Sequence, residues 1–297
     1  MRPDVGKGLR FEFPLDLSQE PISYVDAATV NAFYWCNIAH DVFYQYRFDE
    51  VSGNFQENNF DKGGLDNDQV LAIVQSGRGT NNAEFYTPPD GRQASMYLYL
   101  FTQSTPARDT ALDASVIIHE YGHGVSTRLT GGTANSNCLQ SVEAKRLNEG
   151  WSDFYSIFFR QTSQSTRMDN VTIGQYVDNS SQGLRNYFYT TDQKLNPHSF
   201  GYLNYPSYFE PHNSGEVWAT MLNDLLWDMV DVAGFEPNVH NSASTAGNIL
   251  TMKYVMNGLR LQSCNPSFLD ARDAIIQVEQ TITRGQYLCV LWKAFAN

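Results

Sequence analysis

The stretch from Asp113 to Gly132, Asp-Ala-Ser-Val-Ile-Ile-His-Glu-Tyr-Gly-His-Gly-Val-Ser-Thr-Arg-Leu-Thr-Gly-Gly, constrains this chain more than any other. It carries His119, Glu120 and His123 in a His-Glu-x-x-His spacing. Positions i and i+4 of a helix share a face, so both imidazoles can reach one metal ion. Glu120 points to the neighbouring face, where its carboxylate can contact water at that metal. Asp109 or Asp113 can cap such a helix, Val116, Ile117 and Ile118 give it an apolar approach, and Gly131-Gly132 stops it. A five-residue pattern also arises by chance, and two histidines on a core helix would account for it equally well.

A second segment shifts that balance. Asn148-Glu149-Gly150-Trp151-Ser152-Asp153 lies in a helical run from Val142 to about Gln161. Glu149 and Asp153 are again i and i+4, so one carboxylate can ligate the metal while the other holds a ligand histidine from behind. Two nitrogens and one carboxylate oxygen leave the fourth tetrahedral position of zinc open to water, as in catalytic sites.

The chain has 297 residues, enough for one large domain or two lobes sharing a cleft. Its 20 Lys+Arg against 32 Asp+Glu give a formal charge of −12, which argues against nucleic acid or an anionic membrane as partner. No apolar run is long enough to span a bilayer. No signal peptide is visible at Met1, which predicts a cytosolic chain or a trimmed secreted one. The 4 cysteines, Cys36, Cys138, Cys264 and Cys289, allow three pairings. Cys264 and Cys289 flank a predicted helix, Ser267 to about Thr283, that would hold them well over ~20 Å apart. Their pairing therefore requires the chain to turn back after Gly285. Two sequons, Asn170-Val171-Thr172 and Asn179-Ser180-Ser181, fit a secreted protein but are common by chance.

The remaining pattern is a mixed strand-and-helix N-terminal half and a helical C-terminal half, with the metal helices at the seam. Residues 1 to 24 read as an extended lead-in. Asp26 can cap a long helix from Ala27 to about Tyr46, whose Phe33, Tyr34, Trp35, Phe43 and Tyr44 are expected in the core. His40 on that helix reads as a satisfied core histidine, having no partner at metal spacing. Val70–Val74 and Ser95–Phe101 read as strands. Composition alone makes Asn81–Phe85, before the Pro88-Pro89-Asp90-Gly91 turn, a surface loop; as an exposed edge strand it could pair with an extended peptide. Asp61, Asp66 and Asp68 form an acidic loop expected to be solvated. After an irregular stretch from Thr162 to about Tyr208, helices are predicted over Gly215–Val232, Thr245–Leu261, Ser267–Thr283 and from Gln286. Leu222, Leu225, Leu226 and Met229 keep helical spacing and predict core.

The run His119–Ser126 through Arg128–Gly132, with Ala134-Asn135-Ser136, Cys138-Leu139 and Glu149–Asp153, closely resembles the fungalysins, secreted zinc endopeptidases of the thermolysin-like gluzincin group. The likeness continues through Gly53–Gln56, Asn81–Ala83, Thr87–Gly91, Val217–Ala219, Cys264–Pro266 and Ala271–Ile275, nearly the whole chain. It implies an α+β, thermolysin-like, two-lobed fold. Residues 1–132 would form a mixed lobe ending in the metal helix, and 133–297 a mainly helical lobe carrying the third ligand. The resemblance implies one catalytic zinc ion held by His119, His123 and Glu149, with Glu120 as general base and Asp153 behind the first histidine. It further implies His212 as an oxyanion-stabilising histidine, Asn82 and Ala83 as a substrate-binding edge, and Arg185 as the arginine positioning the scissile carbonyl. Protein or peptide substrates, an inhibitory propeptide in the precursor, secretion and a monomeric state follow as expectations.

The chain departs from the family in places. Gly122 stands where fungalysins usually carry threonine, and a mid-helix glycine costs roughly 1 kcal/mol. No tyrosine lies between the two metal helices, where thermolysin uses one to assist the oxyanion. The chain also looks trimmed at both ends relative to the family's mature enzymes. Two rival readings stand beside the endopeptidase. A gluzincin aminopeptidase would need a Gly-x-Met-Glu-Asn string, which is absent, and a truncated pseudo-enzyme would act as a binding module.

Overall fold

Helices far outweigh strands in this fold. The computed structural model describes residues 2–296, and no helix among them is long and apolar enough to cross a membrane. The first long helix, α1 (Val25–Gln45), lays Ala28, Ala32, Ala39, Val42 and Phe43 on the core. Asp26 is not its cap. That position belongs to Tyr24, without a side-chain bond, and Asp26 sits in the first turn, where its charge faces the positive helix end. Of the aromatics expected in the core, Phe43 is fully buried, whereas Phe33 (58% exposed) and Tyr34 (55% exposed) lie on the outer face. Small alanines fill the inner stripe here, so the large rings fall outside it, and Phe33 stacks on Phe11 of the lead-in instead.

Three strands make a small sheet in the order β1 (Leu71–Ile73), β3 (Ser95–Leu98), β2 (Ala83–Tyr86), with β3 central. β1 runs parallel to β3 and β2 antiparallel, in the register Ala83↔Leu98 and Phe85↔Met96. The segment that composition assigns to a loop is thus an edge strand. Its inward side chains, Ala83 and Phe85, alternate with exposed Glu84 and Tyr86, and Phe85 is packed against Phe55 and Tyr121. Tertiary contact, not propensity, makes it a strand. The strand expected over Ser95–Phe101 breaks at Tyr99, because β4 (Leu100–Phe101) leaves the sheet to pair with β5 (Arg108–Asp109).

Helix α2 (Ala114–Leu129) follows, capped by Asp113, whose Oδ1 accepts from the Ser115 amide, and it ends before Gly131 and Gly132, both at positive φ. Helix α3 (Val142–Arg160) is capped by Ser141. A single turn, α4 (Gln175–Asp178), interrupts the irregular stretch before α5 (Pro211–Ala233), α6 (Gly247–Leu261), α7 (Phe268–Ile282) and α8 (Leu288–Phe295). Leu222, Leu225, Leu226 and Met229 are buried in a core that runs without a break from Tyr24 to Ala294.

The disulfide joins Cys138 to Cys264, not Cys264 to Cys289. After α6 the chain meets the loop that links α2 to α3, where the Asn265 amide donates to the Cys138 carbonyl and Asn265 Oδ1 accepts from the Gln140 and Ser141 amides. Helix α7 carries Cys289 away, and it stays free and exposed; Cys36, half-buried, is also free. The bridge spans 126 residues, so opening it restores a large loop to the unfolded chain. Replacing Cys138 and Cys264 together by serine is expected to lower the unfolding free energy by about 2–5 kcal/mol, read by denaturant titration.

Candidate metal centre

The two imidazoles converge because α2 places them one turn apart on the face toward α3. Their rings stand 4.7 Å apart at nearly a right angle. Each is fixed through its outer nitrogen. Asp153 is ionised and can only accept, so His119 Nδ1 donates to its Oδ1 at 2.7 Å. Ser152 Oγ stands 3.2 Å from His123 Nδ1. Both Nε2 atoms are left facing Glu149, whose Oε2 is 3.3 Å from His119 Nε2 and 3.7 Å from His123 Nε2. A ligand atom of Glu120 lies with those of the two histidines within 4.8 Å.

Helix contact sets this geometry. A Cβ on Gly122 would come within 2.8 Å of Tyr155 Cδ2 and 3.1 Å of Ser152 Cα, so α2 and α3 touch at that point with no room for threonine. On the other flank a Cβ on Gly215 would meet Glu149 Cβ at 2.5 Å, and one on Gly150 would meet the Gly215 carbonyl at 2.6 Å. Helix α5 therefore lies against α3 directly beside Glu149. That contact brings in His212, whose Nε2 is 3.3 Å from Glu149 Oε2 and whose Nδ1 is 2.7 Å from Glu210 Oε1.

The remaining expected residues take distinct places. Arg185 is buried and forked on Asp153, with Nε to Oδ2 at 2.6 Å and Nη2 to Oδ1 at 2.8 Å. Asn82 is exposed, and Ala83 opens β2 on the open edge of the sheet, packed against the cluster that holds Val116 of the first turn of α2, while Phe85 lies over the turn that follows His123. There Gly124 leaves space for Phe55 and Phe85. His40 bonds Asp41 and Gln56 and stands apart from the centre. Sequence reasoning missed Ser152 behind His123, Glu210 behind His212 and Tyr189, whose hydroxyl donates to Asp153 Oδ2. Ser152 lay inside a quoted motif and was legible there. Tyr189 lies in an irregular segment with no periodic signal.

Burial and charge separate the roles of the carboxyls. Burial would raise the Glu149 carboxyl, yet His123, His119 and His212 around it hold it well below the usual range, so it is ionised. Asp153 is likewise held down by Arg185 and His119 against the effect of burial. Burial pushes Glu120 up to about 7, with the Glu149 charge adding to it, which makes it a proton acceptor poised near neutrality. Burial alone would depress His119, but the Asp153 bond at Nδ1 and the nearby Glu149 carboxylate raise it to about 10; for His123 burial outweighs the Glu149 charge and lowers it to about 4. Burial opposes and Glu210 raises the His212 imidazole. Oε2 of Glu149 and Oε2 of Glu120 are both buried without a hydrogen-bond donor. Orphaned acceptors of this kind are rare in folded proteins. Two ring nitrogens oriented toward one point and an ionised oxygen without a donor fit a divalent cation, which would displace the His119 proton on binding.

The family model described as fungalysin metallopeptidase (M36) matches residues 1–297. This chain belongs to that family. It is 44% identical over 296 residues to extracellular metalloproteinase 1 of Arthroderma otae, covering 98% of this chain and 46% of that protein. It is 43% identical over 300 residues to extracellular metalloproteinase 5 of Trichophyton tonsurans, covering 100% and 49%. With extracellular metalloproteinase mep of Aspergillus fumigatus it shares 43% over 294 residues, covering 97% and 46%. The fungalysin chain thus spans about half the length of the curated relatives it matches. Its α+β fold is that of the precursor of protealysin, a metalloproteinase from Serratia proteamaculans, at a TM-score of 0.59 and 15% identity, over 91% of this chain and 77% of that one. A metallopeptidase family implies a metal, and the donor set described above is suited to one.

If the Gly150–Gly215 approach sets Glu149, Gly215→Ala forces α3 and α5 apart. The expected result is a loss of about 1–3 kcal/mol in thermal unfolding together with weaker metal uptake by titration. A variant matching the parent in both would contradict the contact.

Proposed function

We propose that this fungalysin chain is a zinc-dependent endopeptidase that hydrolyses protein or peptide substrates in a cleft between a lobe of residues 1–132 and a lobe of residues 133–297. The observation that carries the reading is the convergence of His119 Nε2, His123 Nε2 and the donorless Glu149 Oε2 beside a second buried carboxyl, Glu120. His119, His123 and Glu149 would hold one zinc ion, which when bound supplies a Lewis acid that polarises the scissile carbonyl and acidifies a nucleophilic water.

Glu120 Oε2 takes the water's proton and hands it to the departing amine. A carboxyl raised toward neutrality by burial suits both transfers. Asp153 keeps His119 in the Nδ1–H tautomer, so Nε2 stays a ligand. His212 offers its Nε2–H to the developing oxyanion, and Glu210 at Nδ1 favours the protonated ring. With no tyrosine between α2 and α3, this histidine carries that task on the α5 side. The open edge of β2, beginning at Asn82 and Ala83, is suited to pair with an extended substrate through backbone bonds. Arg185, already forked on Asp153, is within the same buried group and would present its remaining nitrogen to the substrate carbonyl. Secretion and an inhibitory propeptide are supported by the word extracellular in the relatives' names and by the precursor form of protealysin.

Casein digestion that stops with a chelator and returns with zinc is the expected outcome, with internal cleavage of end-blocked peptides excluding an aminopeptidase. Glu120→Gln should lower kcat by about 10²–10⁴-fold while elemental analysis still finds zinc. Glu149→Ala should lose the zinc itself. Normal turnover in Glu120→Gln would remove the general-base role.

A further inference from the structure

Asp153 is 1% exposed, so taking its carboxyl out of water requires that its oxygens be filled by donors. Four bonds do so. Oδ1 accepts from His119 Nδ1 and Arg185 Nη2, and Oδ2 accepts from Arg185 Nε and the Tyr189 hydroxyl. Tyr189 is itself buried, at 1% exposure, and its backbone is held by a two-way bridge: the Tyr189 amide donates to the Val171 carbonyl at 2.8 Å, and the Val171 amide to the Tyr189 carbonyl at 3.1 Å. Burial and the Asp153 charge hold its phenol above the ordinary range, which keeps the hydroxyl in its donor form. Arg185 and Tyr189 therefore grip one carboxylate from the same short segment, and that segment is pinned from α5, where buried Glu216 accepts from the Asn186 amide and side chain.

We propose that Tyr189 is a positioning residue for the metal centre: its hydroxyl fixes Asp153, and through it the orientation of His119. This rests on the zinc reading given above and extends it to a residue that touches neither ligand nor substrate. The division of labour has a chemical sense. Arg185 supplies the charge that keeps Asp153 ionised, but its guanidinium is also the group that would turn toward a substrate carbonyl. Tyr189 is neutral and locked by its bridge to Val171, so it keeps one Asp153 oxygen fixed whichever way Arg185 leans. Partners behind a metal-bound histidine commonly govern affinity by about 10–100-fold.

The test is the rate at which the zinc-loaded chain releases its ion to an excess of a coloured chelator. Tyr189→Phe keeps the ring and removes only the donor, and release is expected to quicken about 10–100-fold. The rise in Tm produced by zinc should shrink with it, whereas a merely structural loss would lower the metal-free and zinc-loaded Tm alike. Tyr254→Phe, which removes another buried hydroxyl, on Thr283, is the control and should leave release unchanged. Should Tyr189→Phe not fold, 3,5-difluorotyrosine at position 189 keeps the shape with a stronger donor and is expected to slow release. Parental release rates in the folded position-189 variant overturn the proposal while leaving the zinc reading intact. A parent chain that takes up no zinc overturns both.

Discussion

Glu149 reaches the two imidazoles only because α3 approaches α2 and α5 almost backbone to backbone. Gly122 on α2, Gly150 on α3 and Gly215 on α5 each occupy a point where a single methyl would collide with the neighbouring helix. Each mid-helix glycine costs about 1 kcal/mol of helix stability. Burial of the large rings around them offsets that cost: Trp151, Tyr155 and Trp218 pack in the same seam at no more than 1% exposure. A centre built from three helices thus takes its dimensions from residues without side chains. The departure at Gly122 from the family's usual threonine is a consequence of that packing, since Tyr155 and Ser152 already fill the space.

The same closeness makes the centre electrostatically demanding. Four ionisable groups, His119, Glu120, Glu149 and Asp153, are shielded from solvent within a few ångströms, with Arg185 the one permanent cation among them. A buried carboxylate is tolerable only when paired and bonded. Asp153 meets that condition fully. Glu149 and Glu120 do not, since each keeps an oxygen with no donor. The cluster holds buried acceptors without donors, and a divalent cation among the Nε2 atoms and Glu149, as proposed, would supply the missing positive charge. Glu120, raised rather than lowered by its surroundings, is the carboxyl that the proposed function would use to exchange protons.

The helices and the four residues around the proposed ion were legible because their signals are local. The i, i+4 spacing of His119 with His123 and of Glu149 with Asp153 is written within single helices, and Leu222, Leu225, Leu226 and Met229 announce the buried stripe of α5 in the same way. What was illegible depends on contacts between distant segments. The disulfide partner of Cys264 lies 126 residues away and is chosen by the meeting of two loops. The strand β2 exists because Phe85 finds Phe55 and Tyr121, not because Ala83–Tyr86 favours extension. The outward turn of Phe33 and Tyr34 follows from the alanine stripe of α1, which aromatic content alone conceals. Tyr189 reaches Asp153 across 36 residues without periodicity to announce it.

The far end of the metal helix explains how the edge strand can serve the centre. Arg128, one turn past His123 and 1% exposed, donates to the carbonyls of Gly53, Pro88 and Pro89 and pairs with the buried Asp68 at 2.8 Å. Asp68 was expected to be solvated, but the loop that carries it folds inward to meet this charge. Pro88 and Pro89 follow directly on β2, so the arginine ties the end of the edge strand to the helix that carries both histidines. At the other end Asp113 caps α2 and also accepts from the Tyr176 amide of α4, next to the segment that delivers Arg185. The metal helix is therefore fixed at each end to a segment that would contact substrate. Moving the end of β2 away from α2 would cost the buried Arg128 its bonds to the Pro88 and Pro89 carbonyls. Under the proposed function, such registration of the edge with the centre would present one backbone carbonyl, rather than a range of them, to Glu120 and His212.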